Sequence, residues 1–178
     1  MKIVKVAVIA GLAGLGAAMG PMAANAQSLP VIGGPSSISA GIFAPTSDDA
    51  KHGGGKTQFD ANFRYTLPVP NPLDVPARTV LDLGVQTGAR DGKHSTVVPI
   101  TVGEVVGLSG KSPNAAGEGY AGVGVGAYII NQSGLSTATR LGGFGELGYN
   151  INSSFFVDAR YQFVQHANGP LFNVGYRF

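Results

Sequence analysis

Residues 58–67 read QFDANFRYTL. Phe59, Ala61, Phe63, Tyr65 and Leu67 share one parity, and Gln58, Asp60, Asn62, Arg64 and Thr66 share the other. A strand sends alternate side chains to opposite faces, so this stretch has one apolar face and one polar face. No 3.6-residue stripe accounts for the pattern. The alternation continues along the chain. Ile38, Ala40, Ile42 and Ala44 precede it. Leu81, Leu83 and Val85 follow, then residues 97–106. Next come Ala121, Val123, Val125, Ala127 and Ile129, then Leu141, Leu147 and Tyr149. The last two rows are Phe155, Val157, Ala159, Tyr161 and Phe163, and Phe172, Val174, Tyr176 and Phe178. Turn-forming Gly, Pro, Asn and Ser clusters separate these segments. The expectation is an all-β chain of eight antiparallel strands, each about ten residues long, the length a tilted strand needs to cross a bilayer.

The charges decide which way the barrel faces. Asp60, Arg64, Arg78, Asp82, Arg140, Glu146, Asp158, Arg160 and Arg177 all fall on the polar parity of their segments. A soluble barrel turns such a face to water and keeps the apolar face inside. A transmembrane barrel does the reverse. Two features favour the second. Tyr65, Tyr149, Tyr161, Phe163, Tyr176 and Phe178 lie near segment ends, where an interfacial girdle belongs. The acids and bases of the polar parity nearly balance, which suits an enclosed network. These nine residues are therefore the expected interior charge network. Three features fit less well. Pro99 removes a ladder donor, so a bulge or late strand start is expected there. Glu104 has the parity of the apolar face. Trp is absent, so the girdle is Tyr and Phe alone.

The first 26 residues, MKIVKVAVIAGLAGLGAAMGPMAANA, combine a basic start, a Gly/Ala-rich apolar run and small residues at Ala24 and Ala26. This is the pattern of a cleaved secretory signal peptide, 1–26. A linker over 27–35 and a barrel domain over 36–178 follow. The chain has 12 Lys+Arg and 10 Asp+Glu. Cleavage removes Lys2 and Lys5 and leaves the mature chain formally neutral, with no basic run for nucleic acid. There is no cysteine, so no disulfide scaffold holds the fold.

The chain ends in FNVGYRF, residues 172–178, with Phe172, Val174, Tyr176 and Phe178 alternating back from the terminus. This resembles the C-terminal signal that the barrel-assembly machinery reads in bacterial outer-membrane proteins. YAGVGVGAYII, LGGFGELGYNI and FFVDARYQFV are similar to successive strands of small eight-stranded barrels of the OmpW/OmpX/OmpA-barrel type. The resemblance covers about residues 36–178. It implies an outer-membrane location, membrane lipid and the assembly machinery as partners, and termini facing the periplasm. Connections 46–57, 88–95, 131–136 and 166–169 would then be extracellular, and 68–77, 108–118 and 150–153 periplasmic. PVPNPLDVPA and LSGKSPNAAGEG are long for periplasmic turns.

Several stretches superficially suggest catalysis. HGGGKT, residues 52–57, lacks the first glycine of a phosphate loop, whose position is Ala50, and is followed by a strand rather than a helix. No nucleophile elbow supports its oxyanion-loop reading; SISAG carries Ser37 where the first glycine belongs. Residues 46–57 are therefore expected to be a mobile outer loop. GLSGKS has Val105 at the required glycine, and GVGVGA, 122–127, has no helix after it. QHANGPLF, 165–172, resembles the last outer loop of lipid A deacylases, but Ala167 and Asn168 follow His166 and no acid lies downstream. His52, His94 and His166, with Asp48, Asp49 and Asp91 near them, show no ligand spacing. No catalytic, cofactor or metal residue is assigned. The expected function is structural or envelope-maintaining. A narrow channel or lateral conduit is the alternative; it implies a small hydrophobic ligand in an upper pocket lined by Phe144, Phe156 and Leu171. A lipid A-modifying enzyme ranks third.

Overall fold

A computed structural model describes residues 36–69 and 76–178. The expected signal peptide, the linker and most of PVPNPLDVPA lie outside the described residues. Eight antiparallel strands close into one barrel. They are β1 (Ser37–Phe43), β2 (Gln58–Thr66), β3 (Ala77–Arg90), β4 (Lys93–Gly107), β5 (Gly119–Gln132), β6 (Ala138–Asn150), β7 (Phe155–Phe163) and β8 (Gly169–Arg177). A short helix, α1 (Asp48–Gly54), lies between β1 and β2. β1 pairs with both β2 and β8, so no edge is left open. The strands are unequal, from 7 residues in β1 to 15 in β4, rather than uniformly about ten.

The two parities separate as the alternation requires. Leu141 is 85% exposed, while Asp82 is 1% and Glu146 4% exposed. The outward face is a continuous apolar wall that includes Phe59, Val123, Val125, Leu147 and Phe163. Such a wall is far larger than the apolar patches a water-soluble monomer exposes, and it is the surface a barrel presents to lipid. Aromatic side chains gather at both rims of the wall. Phe155 meets Tyr176 edge-on at 5.3 Å, near the end where β1 begins and β8 ends, the terminal end. Tyr161 and Phe163 pair at 4.7 Å towards the other, distal end.

Three local expectations need correction. Pro99 causes no bulge. Pairing of β3 with β4 is interrupted between Leu83–Ile100 and Gln86–Val97 and resumes in the same register. Pro99 points inward, and Gly84 opposite it makes room: a Cβ there would sit 3.0 Å from the Pro99 ring. With the register unchanged, Glu104 keeps its outward parity and accepts a hydrogen bond from the Thr79 hydroxyl of the neighbouring strand. It lies three residues from the terminal end of β4, where the cost of an acid on the lipid face is small. The 88–95 connection shrinks to a two-residue turn, because Asp91 and Gly92 both adopt positive φ, 53° and 74°. An Asp-Gly pair is suited to that hairpin geometry. Finally, residues 48–54 are not a loose loop but helix α1, whose Ala50, Gly53 and Gly54 are buried.

Glycines on the inner face make room for rings. Gly148 is the cross-strand partner of Tyr120, and a Cβ on it would lie 2.1 Å from the Tyr120 ring. Gly175 stands in the same relation to Phe156, also at 2.1 Å. Gly145, on the outward face of the same strand as Gly148, has nothing within 4 Å of its Cβ position. Gly148→Val should therefore destabilise the refolded barrel by about 1–3 kcal/mol, the cost of overpacking. Gly145→Val should leave stability within about 0.5 kcal/mol. Urea unfolding of the two variants in lipid vesicles checks the contrast.

Candidate functional site: the barrel interior

The interior is built in three layers. The middle layer is ionic. Arg64 of β2 grips Asp82 of β3, with Nε to Oδ1 at 2.7 Å and Nη2 to Oδ2 at 3.0 Å. It also donates to Glu146 of β6 at 2.8 Å. Arg160 of β7 donates to the same two acids, Asp82 Oδ2 at 2.6 Å and Glu146 Oε2 at 2.8 Å and 3.1 Å. Two cations and two anions thus close a ring across the lumen. Arg160 also lies 4.0 Å over the Phe144 ring, which adds a cation–π contact.

The distal layer is made of amides. Gln86 and Gln162 exchange hydrogen bonds at 2.8 Å and 2.9 Å. Gln58 donates to the Ala50 carbonyl at 2.9 Å, Gln132 to the His166 carbonyl at 3.1 Å, and Gln162 to the Ala167 carbonyl at 2.6 Å. These bonds fasten α1 and the β7–β8 turn over the distal mouth. The glycines of HGGGKT explain the seat. A Cβ on Gly53 would fall 2.7 Å from the His94 carbonyl, and one on Gly54 would fall 2.4 Å from the Gln58 amide. The motif packs a helix end into the mouth of the barrel.

The terminal layer closes the other end. Tyr120, Val80, Val105 and Phe156 form an apolar cluster. Residues 108–118 fold beneath it, because the Asn150 amide donates to the carbonyls of Pro113, Ala115 and Glu118 at 2.9, 3.1 and 3.2 Å. The Ser109 hydroxyl and amide both donate to Glu118, at 2.5 Å and 2.6 Å. They hold its carboxyl below the usual glutamate range, so this tie is intact at neutral pH and is lost as acid protonates Glu118.

The nine expected interior charges thus take different places. Arg64, Asp82, Glu146 and Arg160 form the ring. Asp60 and Asp158 lie beside it, and among the described residues neither has a cation within ion-pair distance. Arg177 donates to Asn150 at 2.9 Å and stacks 5.1 Å from Phe156. Arg78 reaches Ser112 at 3.5 Å. Arg140 is exposed at the distal rim of β6 and stands apart from the others. Phe172, Val174, Tyr176 and Phe178 lie on the outward row at the end of the chain.

Phe144, Phe156 and Leu171 do not share an upper apolar pocket. Phe144 packs against Arg160, while Phe156, also part of the terminal cluster, and Leu171 border one space of about 10 Å³ whose other lining residues are mostly polar. The large concavity, about 670 Å³, lies on the outward wall between Ala40, Ala61, Phe63, Leu83, Val174 and Tyr176.

The histidines form separate pairs. His52 bonds the Asp48 carbonyl, His94 bonds Ser133, and His166 Nδ1 lies 2.6 Å from Asp49. The chain downstream of His166 carries no acid; α1 delivers Asp49 from far upstream. The adjacent Ser47 hydroxyl donates to the His166 carbonyl at 2.8 Å, not to its ring. Among the described residues no group of three His, Cys, Asp or Glu side chains is placed to hold a metal.

No family model matches the chain, and no curated protein matches it. Solved structures do. The chain superimposes on Neisserial surface protein A with a TM-score of 0.54 at 12% identity, covering 80% of this chain and 94% of that one. The fold is that of small outer-membrane barrels. Ail of Yersinia pestis, solved in a phospholipid nanodisc, aligns at 20% identity and a TM-score of 0.48 over 82% of this chain and all of its own. The N-terminal barrel of Pseudomonas aeruginosa OprF aligns at 15% identity and 0.41, over 80% and 97%.

The ionic ring makes a stability prediction. Arg160→Met leaves Asp82 and Glu146 sharing one guanidinium and should cost about 3–5 kcal/mol. Arg160→Met combined with Glu146→Leu should cost clearly less than the sum of the two single changes, because it removes an opposite pair. A double-mutant cycle by urea unfolding in vesicles reads both.

Proposed function

We propose that this chain is an integral barrel of a bacterial outer membrane with a structural, envelope-maintaining role. The observation that carries this reading is the ring of Arg64, Asp82, Arg160 and Glu146, which fills the cross-section of the lumen. The enclosed space beside it is about 10 Å³, room for a single water. An eight-stranded barrel is only wide enough for its own side chains. Caps at both mouths add to the closure. The barrel contributes a rigid lipid-facing wall, and acyl chains of the surrounding membrane fill the groove on it. Phe172, Val174, Tyr176 and Phe178 present an apolar row by which the assembly machinery would take hold of β8. The distal end, with α1 and the Asp91–Gly92 hairpin, faces outward.

The channel alternative needs a continuous polar path, and the ring blocks one. The enzyme alternative needs a nucleophile on the His166 ring opposite Asp49, and the nearby Ser47 hydroxyl points elsewhere.

Conductance of the refolded chain in a planar bilayer tests the closed reading. The unaltered protein should be silent. The Arg64→Ala/Arg160→Ala variant should give discrete steps, because two bulky side chains leave the constriction. Steady steps from the unaltered protein would mean that the inner charges line a path.

A further inference from the structure

A second enclosed space lies on the terminal side of the charge ring, between the ring and the 108–118 cap. It measures about 20 Å³ and is bordered by Arg64, Thr66, Arg78, Asn114 and Tyr120, with apolar neighbours. Among the described residues that line it there is no carboxylate. The space of about 10 Å³ on the other side of Arg64 is different, because Asp60 and Asp158 line it together with the arginines. The ring meets the terminal space through Arg64 alone. Arg64 keeps 13% of its side chain accessible, while Asp82 and Glu146 keep 1% and 0%.

The positive charge at this end is not balanced locally. Arg78 makes one long contact, Nη2 to the Ser112 hydroxyl at 3.5 Å. Among the described residues no carboxylate lies within ion-pair distance of Arg78 or of Arg177. The register brings Arg177 close as well. Ser37 is the cross-strand partner of Arg64 on one side and of Arg177 on the other. Asp82 and Glu146 are already shared between Arg64 and Arg160. A carboxylate in such a place can neutralise itself by taking up a proton, but an arginine does not give its proton up. Guanidinium groups gathered at one end of a low-dielectric lumen therefore repel one another unless an anion joins them.

We propose that the space between Arg64 and Arg78 is a binding site for a chloride-sized monovalent anion. Its volume exceeds the roughly 10–15 Å³ that one water requires, and it leaves no room for a phosphate or sulfate group. Arginine guanidiniums and the Asn114 amide supply only N–H donors from their polar ends, apart from the one amide oxygen, which suits an anion. The ion joins β2 and β3 to the cap, since Pro113 and Asn114 close the same space from the 108–118 segment. The site does not depend on whether the barrel conducts, because a bound anion holds the cap to the ring in either case.

The test is thermal unfolding of the refolded chain in detergent micelles near neutral pH. Sodium chloride is titrated against sodium gluconate at constant ionic strength, the second anion being too large to enter. The midpoint should rise by roughly 3–5 °C per tenfold increase in chloride once the site fills. Arg78→Gln should remove that rise. Lys111→Gln, which deletes an exposed cation of the same cap, should leave it in place. Equal midpoints in the two salts would overturn the site and leave Arg78 balanced by solvent alone. A chloride-dependent rise that survives Arg78→Gln would also overturn it. Crystals of the unaltered chain grown in bromide give a reading that needs no variant to fold. An anomalous peak between Arg64 and Arg78 is expected, and peaks confined to the outer surface would contradict the site.

Discussion

The ion pairs between two arginines and two acids at the centre of the lumen set the terms for the rest of the structure. Four charged side chains can be buried there only because each finds an opposite charge at 2.6–3.1 Å. That requirement fixes register. Arg64 meets Asp82 because the two are directly opposed across β2 and β3, and Glu146 faces Arg160 directly across β6 and β7. A slip of one residue would turn each of these charges outward into lipid. The apolar wall and the charged core are therefore one constraint seen from two sides.

The layers above and below follow from the same economy of space. Where the ring leaves off, neutral amides and small aromatic clusters fill the lumen, and glycines opposite Tyr120 and Phe156 let the rings lie within a narrow cylinder. The caps use backbone carbonyls of α1 and residues 108–118 to satisfy the inward amides of Gln58 and Asn150. A barrel sealed in this way acts through its wall and its two ends, which is why the proposed role is structural.

Much of this was legible in the chain because a barrel strand has a strict period of two. Residues 58–67 declare two faces, and the sign and balance of their charges point to the inside-out arrangement. What the period cannot express is distance around the barrel. It puts Arg64, Arg140 and Arg177 on one parity, yet only Arg64 joins the ring, because height along the axis depends on register and strand tilt. It is also blind to structure outside strands. Helix α1 is seven residues long, with three glycines at and beyond its end, so propensity argues against it. It forms because Gln58 and the walls at His94 and Gly88 receive it. Asp49 reaches His166 for the same reason, across a separation no local motif records. Pro99 signalled a bulge that Gly84 makes unnecessary.

The whole arrangement depends on the apolar face meeting lipid, and one measurement tests that directly. The chain has no tryptophan, so a single one introduced at Val125, 68% exposed on the outward wall, reports alone. In vesicles containing brominated acyl chains, its emission should be blue-shifted, strongly quenched by the lipid and insensitive to aqueous acrylamide. A red-shifted emission quenched by acrylamide and untouched by the brominated chains would place that face in water and contradict the inside-out barrel.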